Sequence, residues 1–258
     1  MKYAINLNTV LPIRATPSES SEMVTQLLFG EFCEIIENRN SFVRIENYAD
    51  GYCGWADKKM LTIVTDTDYL SLQNQPKFKT YMPIAEVFSL SDKSIHRLSA
   101  GSSLPNYNPD TSKFGINGYE FHIHPSFVSY LPESSTNEIV PIALHFRNAP
   151  YLWGGKNIFG IDCSGFVQVV FSLCGISLPR DANQQVQVGE SISFENANTG
   201  DLLFFEKNKR ITHVGIYMGN NQIIHASGKV KISMIDNLGI LSEGKSEYTH
   251  ILSEVRRF

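Results

Sequence analysis

A chain of 258 residues can hold one large domain or two to three small ones, and 42% hydrophobic with 19% charged residues is ordinary for a globular protein. The formal net charge of −4, with no Lys/Arg-rich run, argues against a nucleic-acid partner or an anionic membrane surface. The opening MKYAINLNTVLPIRATP holds no apolar run long enough for a signal segment or membrane helix. A cytoplasmic location is therefore expected, although an exported protein stripped of its signal would read the same way.

Four cysteines occur: Cys33, Cys53, Cys163 and Cys174. None forms a Cys-x-x-Cys pair and no Cys/His spacing resembles a zinc knuckle, so neither a metal nor another cofactor is expected. Cys33 and Cys53 can face each other across a small sheet, but a buried free thiol is the commoner state in a chain this large.

Residues 1–64 read as a first domain of short strands at Val10–Arg14, Phe32–Glu37, Phe42–Glu46, Tyr52–Ala56 and Leu61–Val64, separated by turn-rich pieces such as Thr16–Ser21 and Asp50-Gly51. That pattern predicts a small barrel. Thr65–Pro76 is polar and aperiodic and reads as a linker. Residues 65–133 hold a second small all-β domain with apolar runs at Ile84–Phe88, Tyr119–His124 and Phe127–Leu131.

The texture changes over residues 134–258. Ser134-Ser135-Thr136-Asn137-Glu138 offers capping residues ahead of the apolar stretch Ile139–Phe146, with Pro141 close to the start of the regular helix. Cys163, Phe166, Val167, Val170, Phe171 and Cys174 then mark one face of an amphipathic helix that Gly175 stops. Strands follow at Leu202–Phe205, His213–Met218, Gln222–Ala226, Lys231–Ile235 and Thr249–Val255. Helices first and an antiparallel sheet second make an α+β domain.

Asp162-Cys163-Ser164-Gly165 opens the amphipathic helix, where unpaired backbone N–H groups and the helix dipole favour a thiolate. On spacing alone Cys163 is as readily the first residue of an apolar stripe, which is how Cys174 reads. A nucleophilic cysteine needs a base, and the base an orienting partner. Ile211–Tyr217 reads as a strand with Gly219-Asn220-Asn221 as the turn after it. With those three residues as the loop, Met218 pairs with Gln222 and Gly215 with His225, which makes His213 and His225 diagonal neighbours on one face. A two-residue loop would put them on opposite faces.

Six segments, in order, carry a resemblance: Pro150–Gly155, Asp162–Val167, Leu178–Asp181, Gly200–Phe205, His213–Tyr217 and Ile224–Ala226. Together they resemble the NlpC/P60 family of papain-like cell-wall peptidases. The resemblance implies a Cys163–His213–His225 triad, with His213 as base, His225 holding its ring, and Tyr151 joining the Cys163 backbone N–H in stabilising the oxyanion. The N-terminal segments Pro12–Arg14, Glu22–Glu31 and Gly51–Trp55 are similar to a bacterial SH3 domain, specifically that of γ-D-glutamyl-L-diamino-acid endopeptidases. Those enzymes use it to bind the free amine of an L-Ala-γ-D-Glu unit.

The implied reaction is hydrolysis of the γ-D-Glu–diamino acid bond, for example to meso-diaminopimelate, in free murein peptides during cell-wall recycling. A monomer is expected. An ammonium buried without a partner is costly, so its pocket needs a carboxylate and a hydroxyl. Tyr52 with Glu22 or Glu31 are the candidates in the first domain; Asp162, Ser164, Arg180 and Asp181 are those in the last. Glu22 also reads as a solvated loop charge, Glu31 as a turn residue and Asp181 as a brace for the Arg180 loop. Trp55 and Trp153 read as packing residues, and Asp201 as fixing a turn. Ala182 stands where this subfamily can carry a hydroxyl, which would remove one polar contact. The competing readings are an exported hydrolase of intact wall and a catalytically dead binding module.

Overall fold

The computed structural model describes residues 2–75, 77–130, 135–242 and 247–258. Leu131 of the expected Phe127–Leu131 strand, Ser134 of the expected cap and the expected boundary between residues 133 and 134 lie outside them. The chain divides into two compact units: residues 1–132 with 156–158, and residues 133–155 with 159–258.

The first unit opens with seven short strands: β1 (Tyr3–Ile5), β2 (Val10–Arg14), β3 (Met23–Leu28), β4 (Phe32–Arg39), β5 (Phe42–Asn47), β6 (Cys53–Asp57) and β7 (Thr62–Val64). They form one antiparallel sheet in the order β3-β2-β6-β5-β4-β1-β7. Alternate residues point inward, so Leu11 and Ile13 of β2 meet Leu27, Val43 and Ile45 in an apolar cluster. Five of these strands match the expected ones; β1 and β3 carry no strand signal in the sequence, because their apolar residues do not alternate cleanly.

The expected linker is a helix instead. Helix α1 (Asp66–Asn74) follows Thr65, whose hydroxyl accepts from the Asp68 N–H while the Asp68 carboxylate accepts from the Thr65 N–H. That reciprocal cap begins the helix. Only Tyr69 and Leu72 are buried along it, too few to give a visible periodicity.

A second sheet uses β9 (Ile84–Ser89), β10 (Ile95–Ser99), β11 (Lys113–Ile116) and β12 (Tyr119–Ile123) in the order β10-β9-β12-β11, with β8 (Phe78–Thr80) paired to β13 (Val128–Tyr130) beside it. Phe29, from the turn after β3, packs edge-on against Phe114 and Phe121 at 5.9 and 5.3 Å between ring centroids. The two N-terminal regions therefore share one compact unit. Strand β14 (Lys156–Asn157) belongs to it as well: Lys156 donates to both oxygens of Glu31 at 3.0 and 3.3 Å, and its backbone N–H to Gln26.

The second unit runs from α2 (Ile139–His145) through β15 (Gly160–Ile161), α3 (Cys163–Leu173) and α4 (Ala182–Gln185) to a sheet. Its strands are β16 (Glu190–Ile192), β17 (Leu202–Lys207), β18 (Arg210–Gly219), β19 (Gln222–Ser227), β20 (Lys229–Met234), β21 (Gly239–Leu241) and β22 (Tyr248–Arg257). The order is β16-β22-β17-β18-β19-β20, with β21 on β22. Helix α3 packs on β18 and β19. All ten of its described buried positions follow from a sequence apolar on nearly every face.

Candidate active site

Three features of the chain fix Cys163. Asp162 caps α3, its Oδ1 accepting the Gly165 N–H at 2.7 Å, and Oδ2 accepts the Gly154 N–H at 2.8 Å. Arg180, 1% exposed, donates to both oxygens of Asp162 at 3.1 and 2.6 Å and to the Ser164 hydroxyl at 2.8 Å. Gly165 must lack a side chain, because a Cβ there would come within 2.3 Å of the Gly155 carbonyl oxygen. The Gly154-Gly155 segment is thereby held against the start of the helix.

Asp162, Ser164 and Arg180, candidates for substrate contact, thus form a buried network under the turn that carries Cys163. Asp181 caps α4 in a reciprocal bond with Gln184. Glu31 is held by Lys156 and the Leu28 N–H. Asp201 fixes its turn through the Asn198 N–H and binds Arg257. Glu22, exposed in the turn before β3, and Tyr52, half-buried before β6, belong to the other unit. Trp55 is buried as expected, but Trp153 is 60% exposed.

Helix position alone predicts a stabilised thiolate, and burial reverses that. Cys163 is 7% exposed, and loss of water pushes its thiol up to about 11, with the Asp162 carboxylate adding to the shift. The backbone N–H groups of Val214 and Ser164 and the Arg180 charge pull the other way without prevailing. Tyr151 feels Cys163 as well: burial, then the thiol, raise its phenol to about 12, so it stays a donor.

His213 lies beside Val214 on β18, and its Nε2 is 2.8 Å from Nδ1 of His225 on β19. The hairpin that brings them together differs in detail from expectation. Asn220 and Asn221, at φ +51° and +56°, form a two-residue turn. A bulge at Met218 restores the register, so Ile216 faces Ile224 and Gly219 faces Gln222. The two imidazoles therefore share one face by a route the loop length alone would have excluded. Nε2 of His225 continues to the Ser233 hydroxyl at 3.0 Å.

A third histidine, which the sequence gives no reason to expect, joins them. His250 of β22 lies with its ring centroid 4.3 Å from that of His213, tilted by 33°. Burial lowers His213 well below the ordinary histidine value, and the neighbouring His225 and His250 lower it further. His225 falls to about 3, through burial first, then His250 and Lys231. Strand spacing carries no signal for His250, because β22 reaches β18 only across β17. The resting site is thus a neutral thiol beside neutral imidazoles. The described residues hold no group of three or more His, Cys, Asp or Glu arranged for a metal ion.

Residues 148–244 match the profile of the NlpC/P60 family. Over 132 residues the chain is 36% identical to the Escherichia coli murein DD-endopeptidase MepS/murein LD-carboxypeptidase, covering 50% of this chain and 70% of that one. The chain belongs to the NlpC/P60 family. Residues 13–61 match the bacterial dipeptidyl-peptidase Sh3 domain. The γ-D-glutamyl-L-lysine dipeptidyl-peptidase of Bacillus subtilis is 29% identical over 247 residues, 90% of this chain and 80% of that one. The crystal structure of an NlpC/P60 family protein from Bacillus cereus superposes with a TM-score of 0.84 at 20% identity, covering 99% of both chains. This NlpC/P60 chain is accordingly a cysteine peptidase of α+β fold with an N-terminal SH3-like domain.

Proposed function

We propose that this peptidase hydrolyses the γ-D-Glu–diamino acid bond of murein peptides that carry a free N-terminal L-Ala. Cys163 is the nucleophile, His213 the base and His225 its orienting partner. The observation that supports this most is the buried 2.8 Å contact between His213 Nε2 and His225 Nδ1, beside the strand residue whose N–H meets the Cys163 thiol. With Nε2 engaged, Nδ1 of His213 is the nitrogen available to the thiol.

Because the resting pair is neutral, the proton moves as the nucleophile attacks. Cys163 Sγ gives its proton to His213 Nδ1 and bonds the carbonyl carbon. The developing oxyanion is met by the Cys163 backbone N–H, unpaired at the first turn of a helix, and by the Tyr151 hydroxyl. The His213 imidazolium then protonates the leaving α-amine, the C–N bond breaks and a thioester remains. Water, losing a proton to His213, attacks the thioester, and Cys163 leaves as the thiol on recovering that proton. Asp162 and Arg180 hold the turn on which Sγ is mounted.

The substrate class is supported by the dipeptidyl-peptidase type of the SH3 domain and by the name of the Bacillus subtilis relative. In this reading Glu22 and Tyr52 supply the carboxylate and hydroxyl for the free amine, and the reaction takes place on soluble wall fragments in the cytoplasm. The E. coli relative's name favours a second reading, a hydrolase of intact wall. Mass spectrometry of L-Ala-γ-D-Glu-meso-diaminopimelate and its N-acetylated form separates the two. Release of diaminopimelate from the free peptide alone is expected; equal cleavage of both would overturn the amine-reading proposal. C163A abolishes both reactions.

A further inference from the structure

The histidine relay does not end at His225. Strand β20 pairs with β19 so that Lys231 lies opposite His225 and Ser233 opposite Ile223, which puts Ser233 diagonally beside His225 on the same face. Both side chains are buried, with His225 1% and Ser233 9% exposed, and Oγ lies 3.0 Å from Nε2. A buried imidazole has two nitrogens and, when neutral, one hydrogen, so each partner it meets bears on where that hydrogen sits.

The consequences run along the whole chain of contacts. For His213 to take the thiol proton on Nδ1, its own hydrogen must be on Nε2, donated to His225 Nδ1. His225 must then carry its hydrogen on Nε2, and that N–H needs an acceptor in a buried place. The Ser233 oxygen is such an acceptor. In the opposite arrangement the hydroxyl donates to His225 Nε2, His225 Nδ1–H donates to His213, and the hydrogen of His213 sits on Nδ1. That arrangement has no site for the thiol proton. Removing the oxygen penalises the two unequally. The productive form is left with a buried N–H lacking a partner, whereas the unproductive form is left only with a bare ring nitrogen, which is less costly to bury.

We infer that Ser233 is a positioning residue for catalysis: by accepting from His225 Nε2–H it stabilises the tautomers in which His213 can act as base. The inference rests on the assignment of Cys163 and His213 above. Its effect reaches the reacting atoms only through two rings, so it concerns kcat and leaves substrate binding alone.

The test uses the full chain as parent, S233A, S233T and H213A. Ring-nitrogen NMR without substrate reads the tautomer of His225, and hydrolysis of L-Ala-γ-D-Glu-meso-diaminopimelate gives kcat and KM. In the parent the hydrogen is expected on Nε2. In S233A it moves to Nδ1, and kcat falls on the order of 10²-fold, the scale of a misdirected catalytic group, with KM within about twofold. S233T, which keeps the oxygen, restores both signals. S233A with the parent's tautomer and kcat would overturn the inference, as would a parent whose hydrogen is on Nδ1. Alkylation of Cys163 by iodoacetamide separates this failure from failure of the base assignment. Alkylation slowed in H213A but unchanged in S233A rejects Ser233 alone. Alkylation unchanged in H213A rejects the assignment and the inference with it.

Discussion

Gly215 and His225 face each other across β18 and β19 so closely that a Cβ on the glycine would come within 2.9 Å of the His225 Cβ. The same Cβ would meet the Ile223 side chain at 2.7 and 2.9 Å. The Ile223 tip can turn away, but the His225 Cβ is fixed to its strand. G215A is therefore expected to shift the His225 imidazole relative to His213. A loss of kcat on the order of 10²-fold is expected for a displacement of that size, with KM little changed. Overpacking should also cost about 1–3 kcal/mol in urea unfolding. A G215A enzyme with the parent's kcat would show that the close approach has no catalytic role.

The Asp162–Arg180 pair makes a different prediction, because both charges are buried and joined by two bonds. D162N removes the carboxylate that accepts both Arg180 bonds, and R180M removes the cation that donates them. Breaking one side of such a pair costs about 3–5 kcal/mol of stability. The double variant should lose much less than the sum of the two, since no charge is then stranded. Urea denaturation of all four proteins gives the coupling, and additive losses would contradict the pairing.

The line between what sequence revealed and what it hid falls at long-range contacts. The helix start at Cys163 and the strand that carries His213 are legible because each is a local pattern, one a capped helix start and one an alternating strand, whereas the proposed roles of both residues come from the family resemblance. The register of the β18–β19 hairpin was reached through the wrong loop: the turn is two residues and the bulge at Met218 compensates, a distortion that leaves no compositional trace. Helix α1 reads as a linker although the sequence holds its Thr65–Asp68 cap, because two buried residues give no period. His250 could not be found at all, since it meets His213 only after β17 has been laid between their strands. The thiolate expected from the helix dipole failed because burial, invisible along a sequence, outweighs it.

In the proposed mechanism Tyr151 stabilises the oxyanion and takes no part in proton transfer. Burial and the adjacent Cys163 raise the phenol to about 12, so at neutral pH it is a donor and not a base. Y151F removes one hydrogen bond made mainly in the transition state. A kcat lower by about 10²–10³-fold is expected, with KM nearly unchanged and no movement of the pH profile. A Y151F profile that lost its basic limb would instead identify the tyrosine as a titrating participant.

The buried histidines govern both activity and stability below neutral pH. His213, the proposed base, must be unprotonated to act, and it is held well below the ordinary range by burial, His225 and His250. The acid limb of kcat/KM is therefore expected clearly below 6.5, the ordinary histidine value, on the peptide L-Ala-γ-D-Glu-meso-diaminopimelate. H250F keeps a ring beside His213 but removes a competing positive charge, so the limb should move upward toward that ordinary value. Stability shifts in a matching direction. His225 titrates near 3 when folded and near 6.5 when unfolded, so between those values the unfolded chain binds more protons. Its contribution is complete above about 6.5 and is lost as pH falls toward 3, at about 1.4 kcal/mol for each unit in that window. His213, shifted the same way, steepens the fall. Urea midpoints at successive pH values in the parent and in H225N measure the slope directly. An equal slope in both would mean that His225 is not held neutral by the fold.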